Sequence, residues 1–191
     1  MRPSAATSIL FLALVATGCQ TPLSPSPNAA AVASEESLAL AGAQTRATGG
    51  GHYTIPGDVD LEFAISARVL PGERPQGNFH HRGLADGALI DFSAEVTCLS
   101  VDSVNHRAWI GGVITENRST HPQFMTAVHQ VGHDIWFRVQ DNGPGGADAL
   151  PDVTTIVGFE GAIPSSQVYC DTRPWRTNNV WAVVGNLNVS P

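Results

Sequence analysis

The chain has 191 residues, with ten basic against seventeen acidic side chains and a formal net charge of −7 at pH 7. A chain this acidic is not expected to bind nucleic acid or anionic lipid through bulk attraction. All ten basic residues are arginine, and the absence of lysine excludes Schiff-base catalysis, a P-loop phosphate lysine and a Ser-Lys nucleophile pair.

The first predicted element is an export signal over residues 1–18. Arg2 precedes an apolar run at residues 9–16, which is too short to span a membrane because a spanning helix needs about 20 apolar residues. The sequence ATGC, which ends at Cys19, resembles a bacterial lipobox, whose cysteine carries a lipid anchor. We therefore expect Cys19 to be acylated. The alternative is cleavage by ordinary signal peptidase and secretion, because Ala16 and Gly18 also satisfy the small-x-small rule.

Residues 19–48 are predicted to form a disordered linker that begins at the lipidated Cys19. The segment is rich in Pro, Ser and Ala and poor in aromatic residues, so it cannot bury enough apolar surface to offset the entropy of ordering. Residues 49–191 then have the usual length of a single domain.

The domain at residues 49–191 is predicted to be all-β, an antiparallel β-sandwich or β-barrel. Apolar side chains occur at every second residue over residues 58–69, a pattern typical of a strand with one buried face. Turns rich in Gly, Pro and Asn separate further runs of Val, Ile, Thr and aromatic residues, and no window shows a helical stripe. These further predicted strands lie at residues 89–101, 107–115, 124–131, 135–140, 153–159, 167–170 and 180–189.

Cys98 and Cys170 are the only cysteines of this domain. In an exported protein an even pair of cysteines is most simply a disulfide. Two buried free thiols are the alternative.

Several short segments of the domain resemble a known family. They are GGGHY, LEFAISA, VTCLSV, the glycine pair after AWI, FRVQDNGPGG and the terminal GNLNV. These segments resemble the post-COAP-like domains of exported bacterial proteins, which are often lipoproteins and are functionally uncharacterised. The resemblance implies a β domain at the cell surface and carries over no catalytic residue.

The acidic segment at residues 141–152 offers oxygen ligands of the kind that calcium prefers: Asp141, Asn142, Asp148 and Asp152. Their spacing is not that of an EF-hand loop, and Asn-Gly followed by Pro-Gly-Gly also suits a plain turn between strands. We expect a turn and no cofactor, with calcium as the alternative.

Histidines suggest a second metal hypothesis. His129 and His133 lie four residues apart, and His80, His81 and His121 would join them only if the fold brings them together. The HExxH and GxSxG motifs are absent, so no zinc-hydrolase or nucleophile-elbow pattern supports catalysis. We expect these histidines to be scattered over the surface and not to form a metal site. The absence of these motifs favours a protein that is not an enzyme.

Two tryptophans provide the candidate binding residues. Trp136 shares a strand face with Arg138, and Trp175 lies between Arg173 and Arg176. An indole flanked by guanidinium groups can stack on a sugar ring or anchor a protein contact. The alternative is that each tryptophan closes one end of the core.

Together these features predict a bacterial surface lipoprotein whose β domain has a binding, adhesive or envelope-structural role. Its expected partners are the membrane, through the N-terminal lipid only, and a carbohydrate or protein ligand at the cell surface, with no nucleic acid. The alternative is a secreted hydrolase on the same scaffold.

Overall fold

The strands of this chain form a single antiparallel sheet in the computed structural model, which describes residues 44–57, 59–145 and 149–191. These residues belong to one compact unit, Leu38–Pro191. The strands are β1 Thr45–Ile55, β2 Val59–Val69, β3 Gln76–Ala85, β4 Ala88–Asp102, β5 Arg107–Asn117, β6 Asp134–Gln140, β7 Val153–Thr154, β8 Gly158–Phe159, β9 Trp181–Ala182 and β10 Val184–Ser190. Helix α1 covers Ser166–Thr172, and short 3₁₀ turns cover Pro122–Met125, Ala127–His129 and Thr177–Asn179.

The sheet curls into a nearly closed barrel with the order β10-β1-β2-β3-β4-β5-β6-β7-β9, and β8 pairs with β6. The predicted all-β antiparallel fold is thereby confirmed. In β2 the residues Leu61, Phe63, Ile65 and Ala67 are buried and their neighbours are exposed, as the apolar alternation predicts.

Two carboxylates bridge the seam of the barrel, where the free edge of β10 meets the segment after β6. The Asp141 side chain accepts a hydrogen bond from the backbone N–H of Val189, at 3.0 Å. The Asp152 side chain accepts one from Leu187, at 2.9 Å. Buried backbone donors need a partner, so these carboxylates replace the strand that would otherwise complete the ladder.

Two predicted strands are wrong. Residues 124–131 contain 3₁₀ turns instead, because β5 is already paired on one edge with β4 and on the other with β6. Residues 167–170 lie in α1, whose first turn is capped by the Ser165 hydroxyl accepting from Val168 N–H. The helix buries Ser166, Tyr169 and Cys170, an i, i+3, i+4 spacing that marks one face of a helix.

Two strands escaped prediction. β3 pairs with β2 and β4 along its length, but its two glycines and two adjacent histidines dilute the apolar alternation. β1 begins at Thr45, inside the predicted linker 19–48, because Ala47 is fully buried and the strand pairs with both β2 and β10. The run Gly49–Gly51 hides this strand from a propensity-based prediction.

A disulfide joins Cys98 of β4 to Cys170 of α1, as predicted. It ties α1 to the outer face of the sheet. Gly111 of β5 permits this packing, because a Cβ at that position would lie 2.6 Å from Cys98 Sγ and 2.7 Å from Ser166 Cβ.

Residues 1–43, which include the predicted signal segment and Cys19, lie outside the described residues. Within the described part of the chain, no helix has the length and apolar character required to cross a membrane.

Candidate functional site

A groove of about 370 Å³ opens on the outside of the barrel, over the outer face of β6. One wall is α1, another is the segment at residues 155–163, and the rim is the loop at residues 174–179. The lining residues are Trp136, Arg138, Thr155, Ile156, Val157, Gly158, Ala162, Ile163, Tyr169, Pro174, Arg176 and Asn179. This size falls within the range of small-molecule sites.

The floor of the groove is aromatic. Trp136 and Tyr169 stack with their ring centroids 5.6 Å apart at an interplanar angle of 23°. With Trp109 they form a small apolar cluster outside the barrel, separate from the main core. Gly158 lets the opposite wall approach the indole, since a Cβ there would lie 2.5 Å from Trp136 Nε1. Trp136 therefore contributes its ring edge and part of one face rather than a fully exposed platform.

Arg138 and Arg176 are the charged residues of the groove lining, and Arg138 is the buried one, with 8% of its surface exposed. Its Nη2 donates to the backbone carbonyl of Arg176 at 2.9 Å. Its Nε is buried and has no hydrogen-bond partner among the described residues. The ion pairs of the described residues do not include Arg138 either. Because arginine stays protonated, this is a buried positive charge with no counter-ion within residues 44–57, 59–145 and 149–191.

The Tyr169 hydroxyl lies beside the same guanidinium. Burial raises the pKa of Tyr169 to about 12, although the positive charge of Arg138 and a hydrogen bond from its side chain act in the opposite direction. The phenol is therefore neutral at physiological pH and can act as a hydrogen-bond donor or acceptor.

Trp175 lies behind Arg138 and does not line the groove itself. Its ring is 5.3 Å from the Arg138 guanidinium carbon and 4.2 Å from that of Arg107, so two cations contact one indole. Trp109 packs edge-on against it at 5.9 Å and donates its Nε1–H to the Pro174 carbonyl. The half-buried indole thus supports the rim of the groove.

The predicted binding residues are therefore only partly brought together. Trp136, Arg138 and Arg176 line the groove, and Trp175 contacts Arg138 from the side. Arg173 is the left-handed C-cap of α1, exposed and away from the lining. Trp136 is buried in the small cluster with Trp109 and Tyr169, separate from the main core, because α1 covers the second face of β6.

Sequence reasoning missed two contributors. The predicted strand at residues 167–170 includes Tyr169. Ser165 as a helix cap and the three-residue spacing between Ser166 and Tyr169 indicate a short helix instead. Arg107 lies on β5, far from Trp175 in sequence, and no local pattern connects them.

The proposed calcium ligands face the seam of the barrel. Asp141 Oδ1 accepts from Gly143 N–H and Asp152 Oδ1 from Asn142 N–H, both at 2.8 Å. Their other oxygens accept from β10, as described above. Asp148 lies outside the described residues. Within the described ranges, no group of three or more His, Cys, Asp or Glu side chains is placed to hold a metal ion.

The histidines are dispersed. His80 Nε2 lies 2.8 Å from Asp91 Oδ1, and His133 Nδ1 lies 3.3 Å from the Glu160 carboxylate. Burial acts to raise the pKa of Asp91, but hydrogen bonds from His80 and Arg118 outweigh it and lower that pKa. His81, the sequence neighbour of His80, is buried inside the barrel. These histidines do not form one site.

No family model matches this chain, and no curated protein or solved structure is significantly similar to it. The groove is therefore interpreted from its own residues.

Proposed function

We propose that this protein is a binding protein of the bacterial cell envelope and that the groove over β6 is its ligand site. The observation that carries this proposal is Arg138, a buried guanidinium on an aromatic floor whose Nε has no partner among the described residues. An unmade hydrogen bond on a buried donor costs about 1–3 kcal/mol. A ligand acceptor placed against this guanidinium would offset part of the cost of burying it.

The dimensions of the groove favour a small ligand or one unit of a polymer. A groove of about 370 Å³ suits such a ligand, whereas a stable protein interface buries roughly 800 Å² on each partner. The walls are held by β6 and by the Cys98–Cys170 bridge at the base of α1. A site on such rigid elements loses little entropy when it binds.

The lining favours binding over the alternative of a secreted hydrolase. Among the described residues that line the groove there is no Asp, Glu, His, Cys or Ser. The lining hydroxyl groups belong to Thr155 and Tyr169, and a hydrolase would need a base beside such a hydroxyl to activate it. The pair His80–Asp91 offers an oriented imidazole, but Asp91 is held between His80 and Arg118, as expected of a structural ion pair.

The location of the groove fits the expected lipid anchor. An acylated Cys19, followed by the predicted linker, would hold the β domain close to the membrane and leave the outer face of the barrel free. Exposure on a tether is useful to a protein that captures envelope components. The resemblance to post-COAP-like domains likewise implies a β domain at the cell surface.

A retention experiment tests this proposal. The exported protein is immobilised and exposed to soluble glycans released from the envelope of its bacterial host. We compare it with Ala162→Trp, which fills the groove from an exposed lining position, and with Ala64→Trp, a matched change on an exposed position of β2.

We expect the wild type and Ala64→Trp to retain the same glycan and Ala162→Trp to lose it. Retention that is equal in all three proteins would contradict the groove as the site. Shortened glycans in the eluate would favour the hydrolase.

A further inference from the structure

The groove carries positive charge in a domain that is otherwise acidic. Without residues 1–18, nine arginines stand against seventeen Asp and Glu. Three of the nine, Arg107, Arg138 and Arg176, surround the Trp175 indole and the groove rim. None of the three is in an ion pair within the described part of the chain.

Arg138 differs from Arg82 and Arg118, the two arginines that form ion pairs among the described residues. Arg82 and Arg118 both approach the buried carboxylate of Asp91, which balances their charge. Arg138 is much less exposed than either of these, and its side chain contacts neutral groups, the Arg176 carbonyl and the Tyr169 hydroxyl. A buried cation that lacks a counter-ion is costly, and a bound anion would offset that cost.

We propose that the ligand of the groove bears a single carboxylate on a sugar ring, as a uronic acid unit of an acidic polysaccharide does. This inference rests on the binding function proposed above. The buried positive charge of Arg138 is balanced by one negative charge on the ligand. A carboxylate also matches the planar fork of a guanidinium and accepts two parallel hydrogen bonds from it.

The remaining lining supplies the partners for the ring. Ile163 and the edge of Trp136 offer apolar surface for one face of a sugar, and the Tyr169 hydroxyl offers a neutral polar group. Asn179 and Arg176 at the rim can bind ring hydroxyl groups. In this proposal Arg138 binds the carboxylate of the ligand, and the aromatic floor contacts its sugar ring.

Matched sugars test the proposal in the exported protein. Methyl glucuronoside and methyl galacturonoside are each titrated by NMR against the corresponding neutral methyl glycoside, which carries a hydroxymethyl group in place of the carboxylate. The peptide acetyl-Ala-Ala, which has a free carboxylate but no sugar ring, is titrated in parallel. We expect one of the uronosides to bind at least ten-fold more tightly than its neutral counterpart and more tightly than the peptide.

Three variants locate the charge selection. Arg138→Met is expected to abolish the preference for the uronoside, and Arg176→Ala to weaken binding several-fold. Arg74→Ala removes the same charge from an exposed turn outside the groove and should leave binding unchanged. Because Arg176 is exposed, its variant remains informative if Arg138→Met does not fold.

The outcomes distinguish the proposed binding function of the groove from the inferred class of its ligand. If a neutral glycoside binds as tightly as its uronoside, the carboxylate inference is wrong and the binding function stands. If the peptide alone binds, the inferred sugar ring is wrong. If no probe binds while the retention experiment succeeds, the inferred ligand class is wrong but the groove still binds a ligand.

Discussion

Replacement of His81 tests the packing of the barrel interior. Its side chain is 1% exposed, and its ring centroid lies 4.5 Å from that of Phe137 and 5.5 Å from that of Phe63. Its Nε2 has no partner among the described residues, and its Nδ1 is 3.5 Å from the Tyr53 hydroxyl. Burial lowers the pKa of His81 from 6.5 to about 3, and the charge of His80 contributes in the same direction.

The lowered pKa makes the barrel sensitive to acid. Below a pH of about 6.5 the unfolded chain binds a proton at His81, whereas the folded chain binds it only near pH 3. The free energy of unfolding therefore falls as the pH drops through this window. At about 1.4 kcal/mol per pKa unit the loss is about 3 kcal/mol at pH 4.5 and about 5 kcal/mol once the pH is below both pKa values.

His81→Phe keeps an aromatic ring among the same neighbours and removes the titration. We expect its stability at pH 7 to lie within about 2 kcal/mol of the wild type, because the ring is only slightly larger. The decrease between pH 7 and pH 4.5 should be smaller than in the wild type by about 3 kcal/mol. Urea unfolding followed by tryptophan fluorescence at both pH values measures the difference.

His52→Phe is the matched control, because His52 is exposed on β1. It should retain the acid sensitivity of the wild type. If His81→Phe loses as much stability in acid as the wild type does, a buried neutral imidazole does not cause the effect and the reasoning is refuted.

Three further predictions concern the seam and the disulfide. Asp152→Ala should cost about 3 kcal/mol in urea unfolding, because two backbone N–H groups lose a charged acceptor, whereas the exposed Asp171→Ala should cost under about 0.5 kcal/mol. Reduction of Cys98–Cys170, which are separated by 72 residues, should cost about 4 kcal/mol through chain entropy; an unchanged urea midpoint would contradict this. Calcium or chelator should leave the thermal midpoint unchanged, since Asp141 and Asp152 already accept backbone hydrogen bonds, and a rise with calcium would favour the metal alternative.

The fold was predictable wherever local patterns have one meaning. The alternation in β2 places Leu61 and Phe63 inside, and a cysteine pair in an exported chain indicates a bridge. The near closure of the barrel was harder to predict from the sequence, because it depends on which strands meet at the seam. No local pattern shows that Asp141 and Asp152 would bind the edge of β10.

The groove was predictable only in part, for a related reason. Trp136 and Arg138 alternate on one face of β6, and that much follows from the period of a strand. The structure also packs α1 over this face and stacks Tyr169 on Trp136. Both contacts join segments that are distant in sequence, and no local pattern predicts them. The partners of Trp175 were expected to be its sequence neighbours Arg173 and Arg176, but the structure supplies Arg107 and Arg138 from neighbouring strands.

The most direct test of the central claim is to map the bound ligand by NMR on isotope-labelled exported protein. Titration with the tighter of the two methyl uronosides should shift the Arg138 Nε–H and the Trp136 indole N–H signals first, together with Tyr169 amide signals. The Trp181 indole, which packs against the main core, should not shift. Saturable shifts confined to another surface, with the Arg138 and Trp136 signals unchanged, would contradict the account.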